Sequence, residues 1–254
     1  MSVEVEYTDR MGNNMFQYST GRILAEGLGF ELICRPIQGF EATNESVRGK
    51  RYEHPIEVVD GYNSRLDYNY LQEYLENNSS RKIIVKGHLQ KYQYFKHHKK
   101  ELRRWFRQPD YYPFISKDDL VIHIRLGDYF EHNVDSSTHC LSKEYYQKVI
   151  DLANPNNVFV VTEEPYHEFI VEFSKKTGCQ VISQNSIKDF AFISSFNKIC
   201  ISKSTFSWWA AFLSDAEEIY IPNASHGIWC WEECRGEGID LFVDDEPRYI
   251  NVEC

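Results

Sequence analysis

Between Leu120 and Ile221 the chain alternates apolar runs of strand length with segments of helix length, a pattern that few folds accept. Strands are predicted at Leu120–Ile124, Val158–Thr162, Gln180–Ile182, Lys198–Ser202 and Glu218–Ile221. Helices are predicted between them at Ser142–Leu152, Pro165–Thr177, Ile187–Asn197 and Phe206–Ser214, with Ser142, Ser186 and Thr205 as N-caps and Gly178 as a C′ residue. Parallel neighbours need crossover connections, so five short strands joined by four helices specify a parallel, doubly wound α/β sheet.

The first half repeats this pattern less regularly, with a strand at Val3–Tyr7, a helix from about Asn14 to Leu28, strands at Glu31–Arg35 and Lys82–Lys86, and a helix over 90–107. The segment from Gln108 to Pro113 carries two prolines that restrict the residues before them, and the boundary between two domains, 1–112 and 113–254, is placed there.

The formal charge of −10 repels phosphate backbones and argues against a nucleic-acid partner. The amino terminus alternates apolar and acidic residues without the basic and apolar regions of a secretory signal, and no apolar stretch is long enough to span a bilayer. Seven scattered cysteines, an odd number, suit reduced thiols, so the expectation is a cytoplasmic protein with no membrane span.

In an open parallel sheet, ligands bind outside the carboxyl ends of the strands. Those ends read Arg125-Leu126-Gly127-Asp128, Thr162-Glu163-Glu164, Ser183-Gln184-Asn185, Lys203-Ser204-Thr205 and Pro222-Asn223. One arginine, several hydroxyls and a carboxylate pair provide what a nucleoside diphosphate requires: a bidentate cation, neutral donors at a helix start and acceptors for base N–H groups. His123 and Arg125 are two apart on a strand and leave the same face. The alternative is structural, with His123 a satisfied core imidazole, Arg125 paired internally with Asp128, and Gly127 only making the turn. Ser204, Thr205, Phe206 and Ser207 open a helix whose free N–H groups favour phosphate, or simply cap it. Gly12, Asn13 and Asn14 form a second strand-to-helix turn that can cap or touch a ligand.

Three segments, Gly12-Asn13-Asn14-Met15-Phe16-Gln17-Tyr18, His123-Ile124-Arg125-Leu126-Gly127-Asp128-Tyr129 and Ser204-Thr205-Phe206-Ser207-Trp208-Trp209, together resemble the α-1,2-fucosyltransferases of glycosyltransferase family 11. Leu141-Ser142-Lys143-Glu144-Tyr145-Tyr146 resembles the family's leucine-serine-x-x-tyrosine-tyrosine helix start. The resemblance implies a GT-B type fold, two Rossmann-like domains with parallel sheets facing across a cleft. It further implies an acceptor side in 1–112, a GDP-sugar donor side in 113–254, inversion at the anomeric carbon and no metal or other cofactor. The partners it implies are a GDP-deoxyhexose donor, fucose or a relative such as rhamnose, and a galactose-type glycan acceptor. Carried over by motif, His123 lies near the guanosine, Arg125 holds the pyrophosphate, Ser204 and Thr205 bind phosphate oxygens, and Glu163 and Glu164 contact guanine. The sequence departs from the family at Leu126, commonly a second arginine, at Asp9, commonly glycine, and at Glu163-Glu164, more often aspartates.

Arg125 is the candidate for stabilising the leaving diphosphate, because no Asp-x-Asp triplet offers a metal clamp. The general base is sought among Asp128, Glu131, His132 and His139, with Asp128 favoured. Two rivals remain: a nucleotide- or glycan-binding module that has lost catalysis, and a Rossmann oxidoreductase, which the lack of a G-x-G-x-x-G turn after any predicted strand disfavours.

Overall fold

The computed structural model describes residues 1–45, 47, 58–59, 65–66, 82–107, 115–127, 140–225, 229–230 and 239–254. The chain divides into two compact units, Met1–Gln108 with Glu232–Phe242, and Pro109–Trp231 with Val243–Cys254. The first unit therefore takes a late segment that a single cut at 112/113 assigns to the second. The reason is a short bridge at Lys91 and Asp240: Tyr92 N–H donates to Asp240 C=O at 2.8 Å, and Asp240 N–H donates to Gln90 C=O at 2.9 Å.

In the first unit, β1 (Ser2–Val5) runs into helix α1 (Met11–Leu28) and β2 (Glu31–Ile33). A two-residue antiparallel pair follows, β3 (Val58–Val59) and β4 (Arg65–Leu66), then β5 (Lys82–Val85), α2 (Tyr92–Phe95) and α3 (Lys99–Trp105). The sheet order is β2-β1-β5, all parallel. Helix α1 begins at Met11 rather than near Asn14, because Arg10 C=O already accepts from the N–H groups of Asn13 and Asn14 at 3.0 Å. The helix expected over 90–107 is two pieces joined by a 3₁₀ turn at Lys96–His98. The tighter turn re-aims the second piece. Phe95 thereby meets Phe16 at 5.4 Å, while Trp105 meets Tyr18 edge-on at 6.2 Å.

The second unit holds β6 (Leu120–His123), α4 (Lys143–Ala153), β7 (Val158–Val161), α5 (Glu168–Thr177), β8 (Gln180–Ile182), α6 (Ser186–Ser194), β9 (Lys198–Cys200), α7 (Thr205–Leu213), β10 (Glu218–Asn223) and β11 (Tyr249–Glu253). All five expected strands and four expected helices are present, and β11 is an addition. The six strands are parallel in the order β11-β10-β9-β6-β7-β8. Counted from β6, this is the Rossmann order 3-2-1-4-5-6, whose direction of winding reverses between β6 and β9. Both units are thus α/β with parallel sheets, as the GT-B expectation requires of each.

Side-chain alternation sorts the faces. Leu120, Ile122, Ile124 and Leu126 enter one core with Tyr145, Tyr146 and Val149 of α4 and Ile170 and Phe173 of α5. Phe159 of β7 packs on the opposite face against Phe192 of α6 and nearby Phe196, at 5.8 and 5.3 Å. Helix α7 is buried nearly all round, from Ser207 to Phe212, so its sequence is apolar on every side.

The caps show where side-chain chemistry sets boundaries. Ser142 accepts from Tyr145 N–H as expected, and Gly178 ends α5 in the left-handed region at φ 71°. The cap of α6 is Asn185, one residue before Ser186, and Ser204 holds the cap position of α7 in place of Thr205. Helix α5 starts at Glu168, capped by His167, instead of at Pro165.

At the far end of α7, Arg248 donates to the carbonyls of Phe212, Ser214 and Ala216 at 2.9 to 3.1 Å and pairs with Glu246. It satisfies carbonyls that the helix end leaves open and places a cation at the negative pole of the dipole. Arg248→Ala is expected to lower stability by about 2 kcal/mol, the scale of lost charge-assisted hydrogen bonds, in urea unfolding. An unchanged midpoint and slope would contradict this role.

Candidate functional site

The reversal of winding between β6 and β9 gathers the polar residues of the second unit. His123 ends β6, and its Nδ1 shares a 2.7 Å hydrogen bond with Ser202 Oγ, just past the end of β9. The bond ties the two strands together at their carboxyl ends. His123 is 4% exposed and its ring lies 5.4 Å from that of Phe206 on α7. Burial, with the nearby Arg125 charge as a second cause, pushes its pKa from 6.5 down to about 3, so the imidazole is neutral. The structural alternative for His123, a satisfied buried imidazole, thus holds together with its place beside the candidate ligand site.

Arg125 lies two residues beyond His123, and Glu163 lies two beyond Val161, the residue opposite His123 in the register of β6 and β7. The two meet: Arg125 Nη1 is 3.0 Å from Glu163 Oε1, with side chains 18% and 30% exposed. The carboxylate beside Arg125 in the described structure therefore comes from the segment after the neighbouring strand. Gly127 does more than turn the chain, because a Cβ there would stand 2.7 Å from Glu163 Oε1. Leu126 points the other way, fully buried in the α4 core.

Helix α7 starts at Thr205, directly after Ser204. Ser204, at the cap position, makes no side-chain hydrogen bond that caps this helix. Ser207 is fully buried and its hydroxyl donates to Ser204 C=O at 3.2 Å, so it shapes the turn instead of facing outward. Thr162 is also buried, its Oγ1 accepting from Glu164 N–H at 3.2 Å. Ser183 follows the edge strand β8, two strands from β6, and is not gathered with Arg125.

Two contributors were not among the residues expected from sequence. Ser202 is visible as His123's partner only once β6 and β9 are known to be neighbours. Asp189, in the first turn of α6, accepts from Gln184 N–H at 3.1 Å; burial and the charge of Glu163 raise its pKa from 3.8 to about 6.

In the first unit, Asn13 on α1 donates to Asp9 Oδ2 and accepts from Gln90 Nε2, both at 3.0 Å. Buried Gln17 accepts from Thr8 N–H and donates to Thr8 Oγ1 and Gly87 C=O, fastening the loops after β1 and β5. Asn14 Oδ1 is buried with no hydrogen-bond partner. Asp128, Glu131, His132 and His139 lie outside the described residues. Among the described residues, no group of three or more His, Cys, Asp or Glu side chains is arranged to hold a metal ion, and no helix is long and apolar enough to cross a membrane.

A doubly wound parallel sheet in this strand order, with a part-exposed arginine and a strand-end histidine at its point of reversal, defines a Rossmann-like domain. Residues 90–227, more than half of the chain, match glycosyl transferase family 11, and the chain belongs to that family. It is 21% identical over 240 residues to galactoside alpha-(1,2)-fucosyltransferase 1 of Rattus norvegicus, covering 84% of this chain and 64% of that protein. The chain thus spans less than two thirds of that relative's length. A crystal structure of POFUT1 in complex with GDP matches with a TM-score of 0.48 and 11% identity, over 84% of this chain and 94% of that one.

The two shifted groups act on stability with opposite signs. Between pH 6.5 and 3 the unfolded chain binds a proton at His123 that the native chain refuses, so stability falls as pH falls through that window. Asp189 holds its proton in the native state up to about pH 6, so its contribution is lost as pH rises from 3.8 to 6. In urea unfolding across pH 4 to 7, His123→Gln is expected to flatten the acid fall and Asp189→Asn to steepen it. The opposite changes would refute the two assignments.

Proposed function

We propose that this chain transfers fucose or a related deoxyhexose from a GDP-sugar to a glycan hydroxyl, a galactose-type acceptor by family resemblance, with inversion and without a metal. The observation that carries the proposal is the part-exposed Arg125 guanidinium two residues past the end of β6, at the reversal point between β6 and β9. Family membership supports the reaction class, and the resemblance of the three motifs supports the donor.

In the reaction, the acceptor oxygen attacks the anomeric carbon as that carbon's bond to the phosphate oxygen breaks. The bonding electrons leave with GDP, and the acceptor proton passes to a base. Negative charge grows on the departing diphosphate, so a fixed guanidinium and a helix N-terminus gain interaction energy as the bond breaks and lower the barrier. Arg125, Ser204 and Thr205 take this role in the proposal. Neutral His123, locked to Ser202, offers a ring that adds no charge beside the nucleoside. Glu163 and Glu164 remain the guanine contacts that the resemblance implies. The base is sought at Asp128, Glu131, His132 or His139. A cytoplasmic location belongs to the same proposal, supported by the absence of disulfides among the described cysteines.

Incubation with GDP-fucose and a β-galactoside tests the reading through the anomeric configuration of the product, with and without a chelator. The expected outcome is an α-linked product whose yield the chelator leaves unchanged. Arg125→Ala is expected to lower turnover about 10²- to 10³-fold while the protein still folds, the cost of removing one preorganised donor from a developing charge. Near-normal turnover in that variant would reject the assignment. A chain that binds GDP but neither transfers nor hydrolyses the donor would be a binding module instead.

A further inference from the structure

Arg125 already has an anion beside it, and that anion belongs to its own chain. Glu163 and Arg125 lie two residues beyond Val161 and His123, the last paired residues of β7 and β6. The pair therefore stands where two neighbouring strands end. A Cβ at position 127 would stand 2.7 Å from Glu163 Oε1, so the glycine leaves the carboxylate room in this position. Arg125 Nη1 stands 3.0 Å from Glu163 Oε1, and both side chains retain solvent exposure. An incoming ligand can therefore reach the pair from water.

Carboxylate and phosphate oxygens approach a guanidinium in the same plane and along the same N–H directions, so they compete for a given N–H and repel one another when both sit at one guanidinium. A carboxylate held there during transfer would stand next to the growing charge of the leaving group and raise the barrier. A diphosphate that takes the Nη1 edge of Arg125 therefore has to displace Glu163. Its partial exposure and flexible stem allow that displacement without moving the backbone.

We infer that Glu163 is an internal competitor for Arg125, a carboxylate that the donor's diphosphate must displace. This rests on the proposed function for its ligand and adds a threshold to it: binding is weakened by the cost of breaking the internal pair, which a multiply charged diphosphate meets better than a singly charged anion. Glu163 thus acts through Arg125 as a residue that determines charge specificity, separately from any contact it makes with a base.

Inorganic pyrophosphate is the probe, because it carries the diphosphate charge and no base. Titration calorimetry would compare the wild-type chain with E163Q, E163A, R125A and E163Q/R125A, with circular dichroism confirming that each is folded. Both Glu163 variants are expected to bind pyrophosphate about threefold or more tightly than wild type, the scale of removing a part-exposed ion pair. The gain should vanish when R125A is the background. Unchanged or weaker pyrophosphate binding in the Glu163 variants, no measurable binding in either, or a gain that persists without Arg125 would each overturn the inference. Parallel titration of the wild type with GDP keeps the two claims apart. A pyrophosphate gain without GDP binding preserves the competition and sinks the nucleotide reading, whereas GDP binding without the gain sinks only the competition.

Discussion

The reversal of winding between β6 and β9 is the constraint on which the rest of this structure depends. Crossovers joining parallel strands are right-handed, so α4 and α5, which carry the chain away from β6 in one direction, lie on one face of the sheet. The later helices, α6 and α7, return it past β6 in the other direction and lie on the opposite face. A doubly wound sheet leaves a crevice at the carboxyl ends of the strands where its winding reverses. The fold creates that gap whatever the residues are. The sequence then fills it with groups that a plain core has no use for: a histidine tied to a serine, an arginine beside a glutamate, and an uncapped serine at a helix start.

The strand periodicity of two gives this edge its electrostatic order. His123 and Arg125 project to the same side, while Ile124 and Leu126 anchor the alternate positions in the α4 core. A second cation so close would be unfavourable, and the structure avoids it by burying the imidazole and committing Nδ1 to Ser202. The guanidinium stays at the solvent boundary. One short strand thus delivers a neutral hydrogen-bonding ring and a permanent cation within two residues. The commoner arginine of the family at position 126 would have to leave the direction in which Leu126 points, since Leu126 is fully buried.

Elements whose signal is local were legible in the sequence. The strands and helices of the second unit follow from apolar runs and turn residues, and Ser142 and Gly178 mark their helix ends by chemistry that acts within four residues. Features that depend on which strands become neighbours were not legible. The Ser202 partner of His123, seventy-nine positions away, and the Glu163 partner of Arg125 arise from sheet order and register. Strand β11 was missed because Tyr249–Glu253 is short and only Val252 in it is buried, so it offers no apolar run. The displaced caps at Asn185 and Ser204 show the limit of residue preference, because Asn, Ser and Thr all suit the position and only backbone geometry selects among neighbours. The return of the chain to the first unit at Asp240 rests on two backbone hydrogen bonds, which no side chain announces.

The acidic side of this edge has its own logic. Glu163 and Asp189 lie close enough for the charge of one to raise the pKa of the other, and a core selected for stability alone would not keep two carboxylates near each other. Asp189 meets the local need by accepting from Gln184 N–H and fixing the loop after β8. Glu163 has no comparable structural role, since it caps no helix, it is not buried, and the glycine opposite it leaves it room. A carboxylate held beside an arginine at the mouth of an α/β sheet, in a place where it contributes little to folding and repels phosphate, is better explained by control of what the arginine binds than by stability. The same pair that neutralises Arg125 therefore sets how much negative charge a ligand must bring to claim it.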